Sequence, residues 1–152
     1  MTWQRGCMGK RFSISKEKRD KITKELSLNL KDRKEIVFSY FHGSFLKDTP
    51  FSDVDVAVFI DEKIKKEDYL SVEIDIEQGL NNIIKKYPVE VRVLNSAPLS
   101  FRYGVIKEGD LIFTKDEELA DDFVERTLDL YFDFAPFREE YLKEVFSFGT
   151  QS

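Results

Sequence analysis

YFHGSFLKDTPFSDVDVAVFI, Tyr40 to Ile60, decides how the chain is read. An apolar run beginning at Glu35 stops at a Gly-Ser pair, Gly43-Ser44. Ten residues after the glycine, Asp53 and Asp55 bracket a valine, and a second apolar run begins at once. Two β-rich runs separated by a loop of 43–52 predict strands over about 35–42 and 54–60. Working outward, Ser15 is placed to cap a helix reaching about Arg33, with Ile22, Leu26 and Leu30 on one face. Residues 66–86 are ambiguous over VEIDI, which alternates as a strand would. Tyr69, Val72, Ile76, Leu80, Ile83 and Tyr87 recur at helical spacing, and length decides for a helix ended by Pro88. A third strand is expected over Val89–Leu94, then the turn Asn95-Ser96-Ala97-Pro98, a short helix near 99–107 and a strand over Leu111–Thr114. The spacing of Leu119, Phe123, Leu130, Phe134, Phe137, Tyr141 and Val145 predicts a long C-terminal helical region over 117–148, kinked or interrupted at Pro136. The order α-β-β-α-β-α-β-α defines an α/β fold with a small mixed β-sheet packed against helices.

The bulk properties narrow the function. A length of 152 residues suits one domain, with a core at about 35–114 and a flexible extension over residues 1–12. The net charge of −5 argues against a nucleic-acid partner. One cysteine, Cys7, and one histidine, His42, exclude a disulfide framework and a Cys/His metal cluster. A metal here must be held by carboxylates, which suits Mg²⁺, Mn²⁺ or Ca²⁺. No apolar run approaches the roughly 20 residues that span a bilayer, and the N-terminus has no apolar signal region; the expected location is cytoplasmic, with no membrane partner.

The two aspartates carry the chemistry. Side chains alternate along a strand, so Asp53 and Asp55 share one face, about 6.6 Å apart at ~3.3 Å per residue, while Val54, Val56 and Val58 take the other. Such a pair suits divalent ions that activate a hydroxyl and steady a leaving pyrophosphate. Without cations the pair repels itself. Gly43 lets backbone N–H groups approach a phosphate, and the Ser44 hydroxyl can donate to a phosphate oxygen. In PVEVRVL, Glu90 and Arg92 point away from Val89, Val91 and Val93. If this strand lies beside Val54–Ile60, Glu90 faces the aspartates as a third acid, binding metal or taking a proton from an attacking hydroxyl. Each element alone is ordinary: S-D-x-D is a common turn sequence, and Glu90 beside Arg92 also reads as a solvated pair. Their conjunction is what points to catalysis.

H-G-S-F followed by S-D-V-D-V-A-V-F resembles the signature of the DNA polymerase beta-type nucleotidyltransferase superfamily. More narrowly, with V-E-V-R-V-L-N-S-A-P and E-G-D-L-I-F further on, the chain is similar to the minimal nucleotidyltransferases, the MNT proteins, over about residues 35–114. The resemblance implies a nucleotidyltransferase fold and transfer of a nucleoside monophosphate from a triphosphate to a hydroxyl with Mg²⁺ (or Mn²⁺). By position, Gly43 and Ser44 would hold the triphosphate of ATP, Asp53 and Asp55 the metals, and Glu90 would be the third acid. Many MNT proteins are antitoxins of a HEPN-type helical toxin and act by AMP transfer onto a tyrosine of that partner. The chain departs from the pattern in three ways. Its loop is shorter than G-S-x-A-x-G-x(5)-S-D-x-D, with Lys47-Asp48 where a second glycine would stand; its third acid is Glu rather than Asp; and it has no separate substrate domain.

The expected function is therefore AMP transfer from ATP to a hydroxyl of a protein partner, as the antitoxin of a HEPN/MNT pair. The rivals are a catalytically inactive MNT-fold antitoxin acting by binding alone, and a small-molecule nucleotidyltransferase of the aminoglycoside kind. His42 reads as a packed or capping histidine rather than a phosphate contact, and Lys47 and Arg102 as solvated charges rather than triphosphate ligands. The aromatics from Tyr131 onward exceed what one buried stripe needs and mark a possible homodimer surface along the C-terminal helix.

Overall fold

The computed structural model describes residues 11–47 and 50–133. Four helices and four strands follow the expected order: α1 (Lys16–Lys31), β1 (Ile36–His42), β2 (Val54–Ile60), α2 (Tyr69–Ile83), β3 (Val89–Val93), α3 (Leu99–Glu108), β4 (Asp110–Thr114) and α4 (Glu117–Phe132). The sheet runs β3-β2-β1-β4. β1 pairs antiparallel with β2 and β4, and β2 pairs parallel with β3, so the sheet is mixed. Ser15 caps α1 by accepting from Lys18 N, and Asp116 caps α4 by accepting from Leu119 N.

The alternation of β2 sorts the core into two layers. Val54, Val56, Val58 and Ile60, all fully buried, face α1 and α2 through Leu26, Leu30, Ile76 and Leu80. Ala57 and Phe59 face α3 and α4, where they meet Phe38, Val105 and Phe123. The buried side of α4 is Ala120, Phe123 and Thr127. Leu130, expected on that stripe, is instead 43% exposed, because the packed face runs 120-123-127 and its continuation is Tyr131, stacked on Tyr103 with centroids 3.7 Å apart. The rest of the predicted C-terminal helical region, Pro136 and the greater part of the predicted homodimer surface lie outside the described residues.

Two local devices fix the strands that carry the aspartates and the glutamate. The first is an aromatic cluster under the 43–52 loop. Phe45 is fully buried and packs edge-on to Phe51, whose ring also meets Phe12 and Tyr87. Phe12 and Phe51 exchange two backbone hydrogen bonds of 2.8 and 3.0 Å. Residue 12 is thus held in the structure, whereas residues 1–10 of the expected extension lie outside the described residues.

The second device covers the outer edge of β3. Asn81 accepts from Val89 N and donates to Val89 O, Glu77 accepts from Val91 N, and Glu73 accepts from Val93 N, all at 2.8–2.9 Å. These residues stand four apart on α2, one per turn, and meet every second residue of the strand. An exposed edge would otherwise leave those backbone groups unpaired. Burial raises the Glu73 pKa above its ordinary value, with the bond from Val93 N opposing that rise. Replacing Asn81 with Ala leaves both Val89 backbone groups without their partner and is expected to cost about 1–3 kcal/mol, read as a lower urea midpoint at unchanged m-value.

Candidate active site

β1 ends at His42, and the chain then turns on Gly43 at φ +87°, a left-handed conformation that side chains rarely adopt. A Cβ on Gly43 would overlap Asp55 Oδ2. The glycine is therefore required by conformation and by its closeness to the aspartate. One turn of 3₁₀ helix follows, Ser44–Leu46, with Leu46 N donating to Gly43 O at 3.2 Å and Lys47 N to Ser44 O at 3.0 Å. The buried Phe45 pins this turn, so Ser44 stands at the sheet end on a fixed backbone.

β2 begins directly after Asp53, and Val54 N donates to Pro88 O at 2.8 Å, locking the start of β2 to β3. The parallel register sets Asp55 opposite Glu90 and Ala57 opposite Arg92. Asp53, Asp55 and Glu90, each half-buried, bring one carboxylate oxygen apiece within 4.8 Å of one another. The backbone spacing expected for the aspartates overstated the distance between their charges, because the side chains converge. Three hard oxygen donors this close suit a divalent cation of the Mg²⁺ or Mn²⁺ kind.

The electrostatics agree with that donor set. Burial, then the charge of Asp53, a hydrogen bond with it and the charge of Glu90 push the Asp55 carboxyl up to about 8, with Arg92 opposing. A carboxyl raised by burial and by two neighbouring acids is one whose ionised form a bound cation would stabilise.

The structure adds two residues that the reading of the sequence did not assign to the site. Arg92 lays its guanidinium over the Phe101 ring, 4.6 Å from the centroid, and Phe101 meets His42 edge-on at 5.4 Å. The signal for Arg92 was its i+2 relation to Glu90; Phe101, on a separate helix, left none. His42 is paired in register with Asp55, and its Nε2 is buried with no hydrogen-bond partner among the described residues. Burial first, then the charge of Arg92, lower its pKa to about 4, so it is a neutral packed imidazole near pH 7. The unfolded chain protonates near 6.5 and the folded one only near 4. The stability associated with neutral His42 is therefore complete above about pH 6.5 and falls as pH drops toward 4. His42→Phe is expected to remove the part of the urea midpoint that rises with pH between 4.5 and 6.5, so that the midpoint falls more steeply with rising pH than in wild type, where Asp55 contributes the opposite trend.

The two other cations considered from the sequence are elsewhere. Lys47 pairs with Glu108 at 3.4 Å, both more than half exposed, a contact of small worth. Arg102 is not the solvated charge expected. It lines a cleft with Phe59 and Asn95, at the opposite end of β2 from Asp53.

Residues 24–118, more than half of the chain, match the sequence profile of the Polymerase beta, Nucleotidyltransferase family, and the chain belongs to that family. Solved structures show the same fold. A chain from the complex of tri-AMPylated Shewanella oneidensis HEPN toxin with MNT antitoxin superposes with a TM-score of 0.62 at 18% identity, covering 84% of this chain and 98% of that one. A chain from a toxin–antitoxin structure with AMP-PNP gives 0.60 at 18% identity, covering 83% and 97%. One from the toxin–antitoxin MntA–HepT gives 0.57 at 18% identity, covering 86% and 98%. No functionally curated protein matches the sequence. Among the described residues no helix is long and apolar enough to cross a membrane.

Proposed function

We propose that the chain transfers AMP from Mg²⁺-ATP to a hydroxyl of a protein partner, as the cytoplasmic antitoxin of a HEPN/MNT pair. The observation that carries this reading is the convergence of Asp53, Asp55 and Glu90 beside a Gly43–Ser44 turn with no room for a side chain at the glycine. Gly43 and Ser44 hold the triphosphate through the backbone and the Ser44 hydroxyl. Asp53, Asp55 and Glu90 would hold Mg²⁺, which when bound neutralises the phosphates and the departing pyrophosphate. The acceptor oxygen attacks the α-phosphorus; a new P–O bond forms, the bond to the β-phosphate bridge breaks, and pyrophosphate leaves. Glu90, at the β3 edge of the triad, takes the hydroxyl proton. The similarity to chains from HEPN–MNT complexes, one of them described with an AMPylated toxin, supports the choice of partner.

The test is to incubate the protein with ATP, Mg²⁺ and a HEPN-type protein expressed with it, and to weigh both intact by mass spectrometry. The expected result is a gain of one or more AMP units on the partner, dependent on Mg²⁺ and absent for Asp53→Asn. Unmodified partner in a stable complex that still silences the toxin would support inhibition by occlusion instead.

A further inference from the structure

We propose that the cleft between α3, α4 and the C-terminal end of β2 is a second ligand site, which takes a small organic anion, a carboxylate or phosphate on a flat apolar body, with Arg102 as its counter-charge. The cleft has a volume of about 380 Å³, within the range of small-molecule sites. Phe59 and Phe123 are buried walls on the sheet side and on α4, and Tyr69 closes the α2 end. Phe59 stands four residues beyond Asp55, about 13 Å along the strand, so the cleft is separate from the acidic triad.

Arg102 is the unbalanced group. Its Nε is buried with no hydrogen-bond partner, and its guanidinium has no ion pair among the described residues. None of the polar neighbours that line the cleft makes a hydrogen bond or ion pair with it among the described residues. Both polar ends of the Asn95 amide are used on Ile60, accepting from its N–H and donating to its carbonyl at 2.9 Å each. Asp122 lies 3.9 Å from Arg126, one turn along α4. Glu62, exposed at the rim, makes no ion pair with Arg102. A guanidinium half-withdrawn from water without a counter-ion is unfavourable, and an anion entering the cleft removes that penalty. Its planar donors match a carboxylate or phosphate, and the aromatic walls match an apolar body better than free inorganic phosphate.

The test is an NMR titration of the full-length Asp53→Asn/Asp55→Asn protein, in which the triad cannot bind metal–phosphate. The Arg102 Nε–Hε resonance is followed with phenyl phosphate, with benzoate, and with benzyl alcohol as the neutral control. A saturable shift with one or both anions, absent for benzyl alcohol, is expected, together with anion-induced shifts of the Phe59, Leu119 and Phe123 backbone amides that are lost in Arg102→Gln; which anion binds tighter identifies the head group. No saturable shift with either anion, or an equal response to benzyl alcohol, overturns the proposal. A second measurement guards against a purely structural role. Arg102→Met is expected to melt no lower than wild type without ligand, because it removes an unpaired charge; a markedly lower melting temperature would make Arg102 a part of the fold and overturn the proposal.

Discussion

Asp55→Asn is expected to abolish nucleotidyl transfer and, in the same molecule, to stabilise the metal-free protein at alkaline pH. The expected catalytic loss follows from removing the central carboxylate of the proposed triad and should be about 10³-fold, of the order seen when a preorganised transition-state contact is deleted. The gain in stability follows from the raised pKa. Between the ordinary carboxylate value of 3.8 and about 8, the folded protein holds a proton on Asp55 that the unfolded chain has released. Stability without metal therefore falls as pH rises through that window, and no further loss follows once folded Asp55 has also ionised. Asparagine is neutral throughout. Below about pH 4 the variant and the wild type should melt together; at pH 8.5 the variant should be more stable by about 1–3 kcal/mol, the cost of an ill-compensated buried charge. For a domain of this size that is several degrees, at about 2–4 °C per kcal/mol. Mg²⁺ should reverse the order by stabilising wild type alone, by about 2.7 kcal/mol when its concentration reaches a hundred times Kd. Differential scanning fluorimetry across pH, with and without Mg²⁺, reads all of these. A variant less stable than wild type at pH 8.5 without metal would show that Asp55 is already neutralised in the folded protein.

Gly43→Ala is the second substitution with a large expected effect. Gly43, at φ +87° and ψ −171°, lies in a region almost confined to glycine, where another residue costs about 1–3 kcal/mol on its own. Here the added Cβ also overlaps Asp55 Oδ2, so either the turn or the aspartate must move. Buried Phe45 holds the turn from below, which leaves Asp55 as the group that yields. Loss of nucleotide binding and an activity reduction of about 10²-fold are expected, since displacement of a reacting geometry by about 1 Å has that effect. The informative comparison is Ser44→Ala, which deletes the proposed phosphate donor but leaves Asp55 in place. It should weaken ATP binding while leaving metal-dependent stabilisation intact. If Gly43→Ala also retained that stabilisation, the coupling between the turn and the triad would be absent.

Most of the fold could be read from periodicity because the elements are amphipathic in a simple way. Val54, Val56, Val58 and Ile60 on one side of β2, and Leu26 and Leu30 on α1, have no other plausible environment than a core. The ambiguity over VEIDI had a physical source. Glu73 and Glu77 do not form a solvated face of α2; they hydrogen-bond the edge of β3. A side chain whose partner is the backbone of a distant strand looks, in the sequence, like any exposed acid. Leu130 misled for the opposite reason, since helical spacing placed an apolar residue on a stripe whose buried face had already rotated toward Tyr131.

The candidate site was legible where its residues lie close in sequence. Gly43, Ser44, Asp53 and Asp55 sit within one loop and its flanks, and Glu90 followed once strand alternation and adjacency to β2 were assumed; the register Asp55 opposite Glu90 supplies that adjacency. What depended on packing was not visible. The Arg92–Phe101–His42 stack joins β3, α3 and β1. Arg102, whose Nε has no hydrogen-bond partner among the described residues, emerges only when α3 is laid against α4. The shorter loop is accommodated by a turn of 3₁₀ helix anchored on Phe45 and Phe51, a use of aromatic residues that composition alone does not reveal.

The most direct test of the central claim is calorimetric titration of AMP-PNP with Mg²⁺ into wild type and into Asp53→Asn/Asp55→Asn. The account predicts saturable binding to wild type that needs Mg²⁺ and vanishes in the double variant. Binding that persists unchanged in the double variant, or no binding to wild type, would contradict the assignment of Gly43, Ser44, Asp53, Asp55 and Glu90 as a working nucleotide site.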